Sequence, residues 1–434
     1  MWREAMDRLR EWRNSPGRKP LMMSGVRQCG KTYILKEFGK ECYDSVLYVN
    51  LERTAKARLI FEKDLDPSRI LEDLSSMFGT PIDENSSLLI LDEIQSCPAA
   101  ITSLKYFCEE ERGYHIVAAG SLLGVLLAEK SSYPVGKVDM ITLRPMNFRE
   151  WLAANGKTML FDNADANCMD VSDGILESLD DEYRRYLYVG GMPEAVQTWI
   201  DTHDETLVAK VQENILNAYA ADFLKHVPDD MAMKVNKIWT SAPEQLAKDK
   251  GRFFYSNVGT SGRSRDLEDA VWWLTSANLL HRVNCTERPK VPLAESADVD
   301  RFKLYICDCG LLTRMMNGDL AMFLYDELKD DVDPGFRGAV AENYVLNEIV
   351  SSFDREPFYW RKGKYGVDFL ISSNTCVIPI EVKSGSKVRS ASLKNYIDSY
   401  SPKKCIILSG NRPKDGDVVA LPLCMAWKIR DVIE

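Results

Sequence analysis

The run Gly25-Val26-Arg27-Gln28-Cys29-Gly30-Lys31-Thr32 has the residue types and spacing of a loop that wraps a phosphate, G-x-x-x-x-G-K-T. Its two glycines let the main chain curl so that successive N–H groups converge on an anion. Lys31 can reach the β- and γ-phosphates of a nucleoside triphosphate, and the Thr32 hydroxyl can ligand Mg²⁺. Holding phosphates does not break them. Carboxylates must position the metal and orient a water. Ser87-Leu88-Leu89-Ile90-Leu91-Asp92-Glu93 supplies both, because an apolar run of this kind makes a buried parallel strand with the acids at its C-terminal end. Asp92 is the candidate for holding Mg²⁺ through water, and Glu93 for polarising the attacking water.

These groups need a scaffold that presents them together. Leu21-Met22-Met23-Ser24 predicts a short buried strand before the loop, and Tyr33 to Phe38 predicts a helix after it. The phosphates then meet a helix N-terminus, and the contact set runs from Gly25 to Tyr33. A further strand, His115 to Ser121, ends in a small polar residue. Ser121 either senses the γ-phosphate or starts the next helix as an N-cap. Short apolar strands alternate with helices over the first ~165 residues, the pattern of an α/β parallel sheet covered on both faces. Cys29, inside the loop, is a site for alkylation if exposed and a tolerated small residue if not.

From about Lys19 to Trp151 the chain resembles the AAA+ type ATPases of bacteria and archaea that carry the loop G-x-R-Q-x-G-K-T. Arg27 and Gln28 match that variant. So do Leu91-Asp92-Glu93-Ile94-Gln95, Ala119-Gly120-Ser121, the run Arg144-Pro145-Met146-Asn147-Phe148-Arg149-Glu150-Trp151, and Gly190-Gly191-Met192-Pro193-Glu194-Ala195. The resemblance implies ATP as ligand, Mg²⁺ as its ion, catalysis by Lys31, Glu93 and Ser121, and a homo-oligomer. In such an oligomer a neighbouring subunit donates an arginine across the nucleotide, for which Arg144 and Arg149 are the candidates. The C-terminal half is similar to the domain of unknown function usually fused to this ATPase.

Composition excludes several alternatives. The 434 residues hold two to four domains, and 45% apolar with 28% charged residues describes an ordinary soluble protein. The N-terminus is charged and amphipathic rather than a secretory signal, and no apolar run spans a bilayer. Eleven scattered cysteines, with only Cys307 and Cys309 close, suggest neither a disulfide framework nor a zinc site, so the cytoplasm is the expected location. A net charge of −10 argues against wholesale binding of polyanions. From Arg355 to Lys404, however, ten Lys/Arg face four Asp/Glu, which places any DNA or RNA contact in the C-terminal half.

Four segments are expected: the ATPase domain over 1–165, a helical lid or connector over 166–230, a winged-helix-like domain over 231–325, and a C-terminal α/β domain over 326–434. The stretch from Asp162 to Asp173 is polar and reads as a loop. Between 231 and 315 the layout is helix, turn, helix and hairpin, with Leu267, Val271 and Leu274 on one apolar face. Arg263 and Arg265 sit where a DNA-reading helix places basic residues, whereas Trp272 and Trp273 fit an interaction module equally well.

The last ~100 residues carry a second constellation. Glu342 falls in a helical segment. Asp368, Glu381 and Lys383 spell D-x(12)-E-x-K on two strands joined by a turn. Glu381 and Lys383, two apart, face the same way. Two carboxylates can hold Mg²⁺ while the lysine activates a water or stabilises a charged phosphate. The bland alternative is a surface hairpin with an exposed Glu381–Lys383 ion pair. The order resembles the PD-(D/E)xK nucleases, with Val367 in place of the usual proline. That resemblance implies Glu342, Asp368 and Glu381 as metal ligands, and Glu381 and Lys383 as catalytic groups. The chain therefore reads as an ATP-binding, Mg²⁺-dependent ATPase whose nucleotide state controls C-terminal domains that bind or cleave nucleic acid. The alternative is a nucleotide-dependent interaction or signalling switch with an inactive nuclease-like domain.

Overall fold

The computed structural model describes residues 1–121, 123, 134, 136–248, 251–259, 264–325, 327, 331–373, 376–385 and 390–433, with no side-chain description at 229, 230 and 264–266. The chain divides into two compact units. One is Met1–Arg144 with Ser276–Asn278, and the other is Pro145–Thr275 with Leu279–Glu434.

The first unit is built on five parallel strands: β1 (Leu21–Ser24), β2 (Ser45–Asn50), β3 (Ser87–Asp92), β4 (His115–Ala119) and β5 (Asp139–Thr142), in the order β2-β3-β4-β1-β5. Their side chains alternate between two layers. Leu47, Val49, Leu89, Leu91, Ile116 and Ala118 pack with the helices Ala55–Lys63, Pro67–Phe78 and Pro98–Glu110. On the other face Trp12, Phe38, Tyr43 and His115 form a chain of aromatic contacts. Leu88 to Leu91 are fully buried, as a strand covered on both faces requires. Burying each such side chain is worth about 1.5–3 kcal/mol, so the interior holds the strand ends where the acids emerge.

The second unit contains a mostly helical stretch and a seven-stranded mixed sheet. The strands are β6 (Leu280–Thr286), β7 (Ala297–Ile306), β8 (Phe358–Lys362), β9 (Tyr365–Ser373), β10 (Cys376–Val382), β11 (Cys405–Ser409) and β12 (Val418–Pro422), ordered β12-β11-β10-β9-β8-β6-β7. Two expectations are corrected here. The hairpin β6–β7 is not a separate wing, because β6 pairs in parallel with β8 and the sheet runs without a break across the expected boundary at 325/326. The expected boundary at 165 lies inside the second unit, whose main segment begins at Pro145. The polar stretch 162–173 is largely helical: Thr158–Ala166 is followed by a 3₁₀ turn at Cys168–Asp170. Asp165 explains the order, since it accepts from Trp427 Nε1 at 3.1 Å and pairs with Lys428 Nζ at 2.8 Å.

Two sequence signatures meet inside the second unit. Met146 N–H donates to Gly191 O at 2.7 Å, and Gly191 N–H donates to Asp308 Oδ2 at 2.6 Å. A Cβ at Gly191 would lie 2.0 Å from Met146 O, so only glycine admits this approach. Around it Phe148, Tyr183, Tyr186, Tyr344 and Trp427 make an aromatic cluster.

Candidate functional site

Gly25 leaves β1 at φ +145°, Gln28 takes φ +64° and Gly30 takes φ +93°, which curls the segment tightly before the helix Lys31–Cys42 begins. Lys31 is buried, and its ammonium donates to Gly25 O at 2.9 Å and Val26 O at 2.8 Å. A longer contact, 3.9 Å to Cys29 Sγ, completes the bracing of the loop by this ammonium. Thr32 Oγ1 donates to Asp92 Oδ2 at 2.8 Å, and Tyr48 OH donates to the same oxygen at 2.8 Å. The hydroxyl and the carboxylate expected to share a divalent ion are therefore adjacent. Cys29 is fully buried with its thiol toward Leu143 O at 3.5 Å, which makes it the tolerated small residue rather than an open alkylation site. Tyr33, at the far end of the expected contact set, is exposed.

Glu93 sits just past β3 in the left-handed region, at φ +52°, and Gln95 Nε2 bonds its carboxylate. Gln95 Oε1 is buried without a hydrogen-bond partner among the described residues, as is Ser121 Oγ. A Cβ at Gly120 would lie 2.4 Å from Gln95 Oε1, so the end of β4 closes on the Glu93 carboxylate through this glutamine. β4 lies beside β1, with Val117 opposite Leu21. The buried Ser121 hydroxyl lies just beyond the end of that strand.

Sequence reasoning gave no role to Arg3, Tyr48 or Gln95. Arg3 is buried and donates to Cys29 O at 3.0 Å and to Arg144 O at 2.6 Å, which ties the N-terminal segment to the loop and to the end of the first unit. No local pattern flags an arginine 22 residues before the loop. Of the two arginine candidates, Arg149 stacks its guanidinium over Phe161 at 4.7 Å.

In the second unit the helix Pro334–Phe353 carries Glu342, and β9 and β10 carry Asp368, Glu381 and Lys383. Glu381 Oε1 accepts from Lys383 Nζ at 2.6 Å and from Ser390 Oγ at 2.7 Å, and Asp368 Oδ2 accepts from Val382 N–H at 2.9 Å. Glu381 is buried, which removes the exposed-hairpin reading. Burial, then the charges of Glu342 and Glu381, hold the Asp368 carboxyl well above the usual carboxylate range. Lys303 of β7, absent from the sequence reading, enters this cluster: its ammonium lies 2.7 Å from Glu342 Oε2 and 3.9 Å from Asp368 Oδ1. Among the described residues no group of three or more His, Cys, Asp or Glu side chains is arranged to hold a metal ion, and the Lys303 ammonium adjoins both Glu342 and Asp368.

In the expected winged-helix region Leu267, Val271 and Leu274 are buried as predicted. Trp273 is buried against Phe223, and Trp272 is 40% exposed. Arg263 lies outside the described residues, and so does the side chain of Arg265. All eleven cysteines are free thiols, and no described helix is long and apolar enough to cross a membrane.

This parallel sheet with its curled loop and acid pair defines a P-loop AAA domain, and the AAA domain family matches residues 17–152. Residues 180–320 match a domain of unknown function (DUF8612), and residues 337–425 match another (DUF4143). Comparison with curated proteins returns no match. Among solved structures, the chain is similar to the Walker-type ATPase of Pyrococcus abyssi, at 14% identity over 73% of this chain and 95% of that one, with a TM-score of 0.46. It is also similar to the ADP form of ORC2 from Aeropyrum pernix, at 17% identity over 64% and 86% of the two chains, with a TM-score of 0.31. A third is AMPPCP-bound DnaA from Aquifex aeolicus, at 13% identity over 64% and 87%, with a TM-score of 0.29.

Proposed function

We propose that the chain binds and hydrolyses Mg²⁺-ATP at the Gly25–Tyr33 loop, and that its nucleotide state governs what the C-terminal half binds. The observation that carries this is the 2.8 Å bond from Thr32 to Asp92 beside a lysine braced on its own loop. The loop N–H groups and Lys31 hold the phosphates. Thr32 and Asp92 would hold Mg²⁺, which when bound neutralises charge on the phosphates. Glu93, oriented by Gln95, polarises the water, and the Ser121 hydroxyl, without a partner among the described residues, reads the γ-phosphate. A homo-oligomer supplies an arginine in trans, and the location is the cytoplasm. The test is ATP turnover by the purified protein, with and without duplex DNA, beside Lys31→Ala. We expect turnover that rises with protein concentration and falls at least 100-fold in the variant. Equal turnover by both proteins refutes the reading.

A second reading is favoured by Lys303: the C-terminal domain recognises a nucleic acid or protein without cutting it, and the protein works as a nucleotide-dependent switch. A native-gel shift with DNA or RNA that weakens with salt selects nucleic acid. No shift selects a protein partner.

A further inference from the structure

We infer that Lys303 is a built-in cation occupying the place where a nuclease of this residue pattern would hold its metal, so the cluster of Glu342, Asp368, Glu381 and Lys383 is complete without a divalent ion and does not cleave phosphodiesters. The inference concerns this cluster alone and does not rest on ATP binding at the loop.

The geometry is specific. Lys303, on β7, is 4% exposed, and its ammonium faces the rings of Tyr305 and Tyr359, 5.9 and 5.6 Å from their centroids. Nζ lies 2.7 Å from Glu342 Oε2, an oxygen that also accepts from Tyr305 OH at 3.1 Å. It faces Asp368 Oδ1 at 3.9 Å. Two further carboxylate oxygens are also engaged: Asp368 Oδ2 by the Val382 amide, and Glu381 Oε1 by Lys383 and Ser390. Glu381 Oε2, within this cluster, is buried without a hydrogen-bond partner among the described residues.

A Mg²⁺ ion needs oxygens at about 2.1 Å in near-octahedral array. The gap between Glu342 and Asp368 already holds a positive charge. A second, divalent charge beside it would meet like-charge repulsion in a buried setting, where such terms are least screened. Nor can the ammonium swing out to solvent, because it is buried along its length. Removing it leaves buried carboxylates uncompensated, a defect that a divalent ion can repair.

The experiment measures Mn²⁺ binding by electron paramagnetic resonance on the full chain without nucleotide, for wild type, Asp368→Asn, Lys303→Ala and the double variant Lys303→Ala/Asp368→Asn. Wild type and Asp368→Asn are expected to bind Mn²⁺ identically. Lys303→Ala is expected to gain one site and a Mn²⁺-dependent rise in melting temperature, both lost in the double variant. A wild-type site abolished by Asp368→Asn overturns the inference, as does a folded Lys303→Ala protein that gains no site. Should Lys303→Ala fail to fold, the wild-type pair decides alone, supported by duplex DNA incubated with Mg²⁺ or Mn²⁺. Metal-dependent cleavage that is lost in Glu381→Ala refutes the inference, and intact DNA upholds it.

Discussion

Replacing Gly25 by alanine separates a loop whose shape is required from one that is merely convenient. The new Cβ would lie 2.1 Å from Leu143 O and 3.1 Å from Leu143 C, whereas ordinary contact is about 3.5 Å. Both obstacles are main-chain atoms, and Leu143 is held by its own N–H bond to Ser24 O at 2.8 Å, so the loop has to move by more than an ångström. Overpacking of this kind costs about 1–3 kcal/mol. A side chain at φ +145° adds about 1–3 kcal/mol more. The free loop relieves much of this by opening away from β5, so the loss in folding stability is the smaller effect. Binding must then rebuild the curled form, at about 3 kcal/mol, or roughly 100-fold in Kd. Calorimetric titration of Mg²⁺-ATP into wild type, Gly25→Ala and the control Gly17→Ala measures this. Gly17 has nothing within 4 Å of its added Cβ and should bind as wild type. A folded Gly25→Ala protein that binds ATP within threefold of wild type would refute the argument.

His115 is 4% exposed, and burial, then the charges of Arg18 and Arg13, push its imidazole down to about 4. The native state therefore binds fewer protons than the unfolded chain between that value and about 6.5. Its contribution is intact above pH 6.5 and falls by about 3 kcal/mol as pH drops to 4, measured as the excess pH dependence of urea stability over His115→Phe. Equal pH slopes in the two proteins would remove imidazole protonation as the cause. Gly191→Ala should destabilise the second unit by about 3–5 kcal/mol, because a Cβ 2.0 Å from Met146 O disrupts both the Met146–Gly191 and the Gly191–Asp308 bonds. Gly174→Ala, with open space at its Cβ, should change stability by less than about 1 kcal/mol in the same denaturation assay. A loss below that level at Gly191 would refute the packing account.

Short-range pattern was enough for the first unit. The loop spacing, the apolar strand ending in Asp92-Glu93 and the flanking helix are local in sequence, and each local preference agrees with its place in the sheet. β1 covers Leu21–Ser24 and Asp92 meets Thr32 as those patterns implied. The helical Glu342 and the β9–β10 hairpin were legible for the same reason. Contacts between distant segments left no such trace. β6 reads as half of an isolated hairpin because its pairing with β8 spans about 75 residues and has no periodicity of its own. Gln95 matched a motif, but its role depends on how closely Gly120 approaches it. Lys303, on a strand assigned to another domain, looks like one more surface lysine until the fold buries its ammonium beside Glu342 and Asp368. Residue types and spacing thus determined the chemistry available to this chain. The tertiary structure alone decided which charges stand next to one another, since Coulomb energies depend on separation and burial and not on distance along the chain.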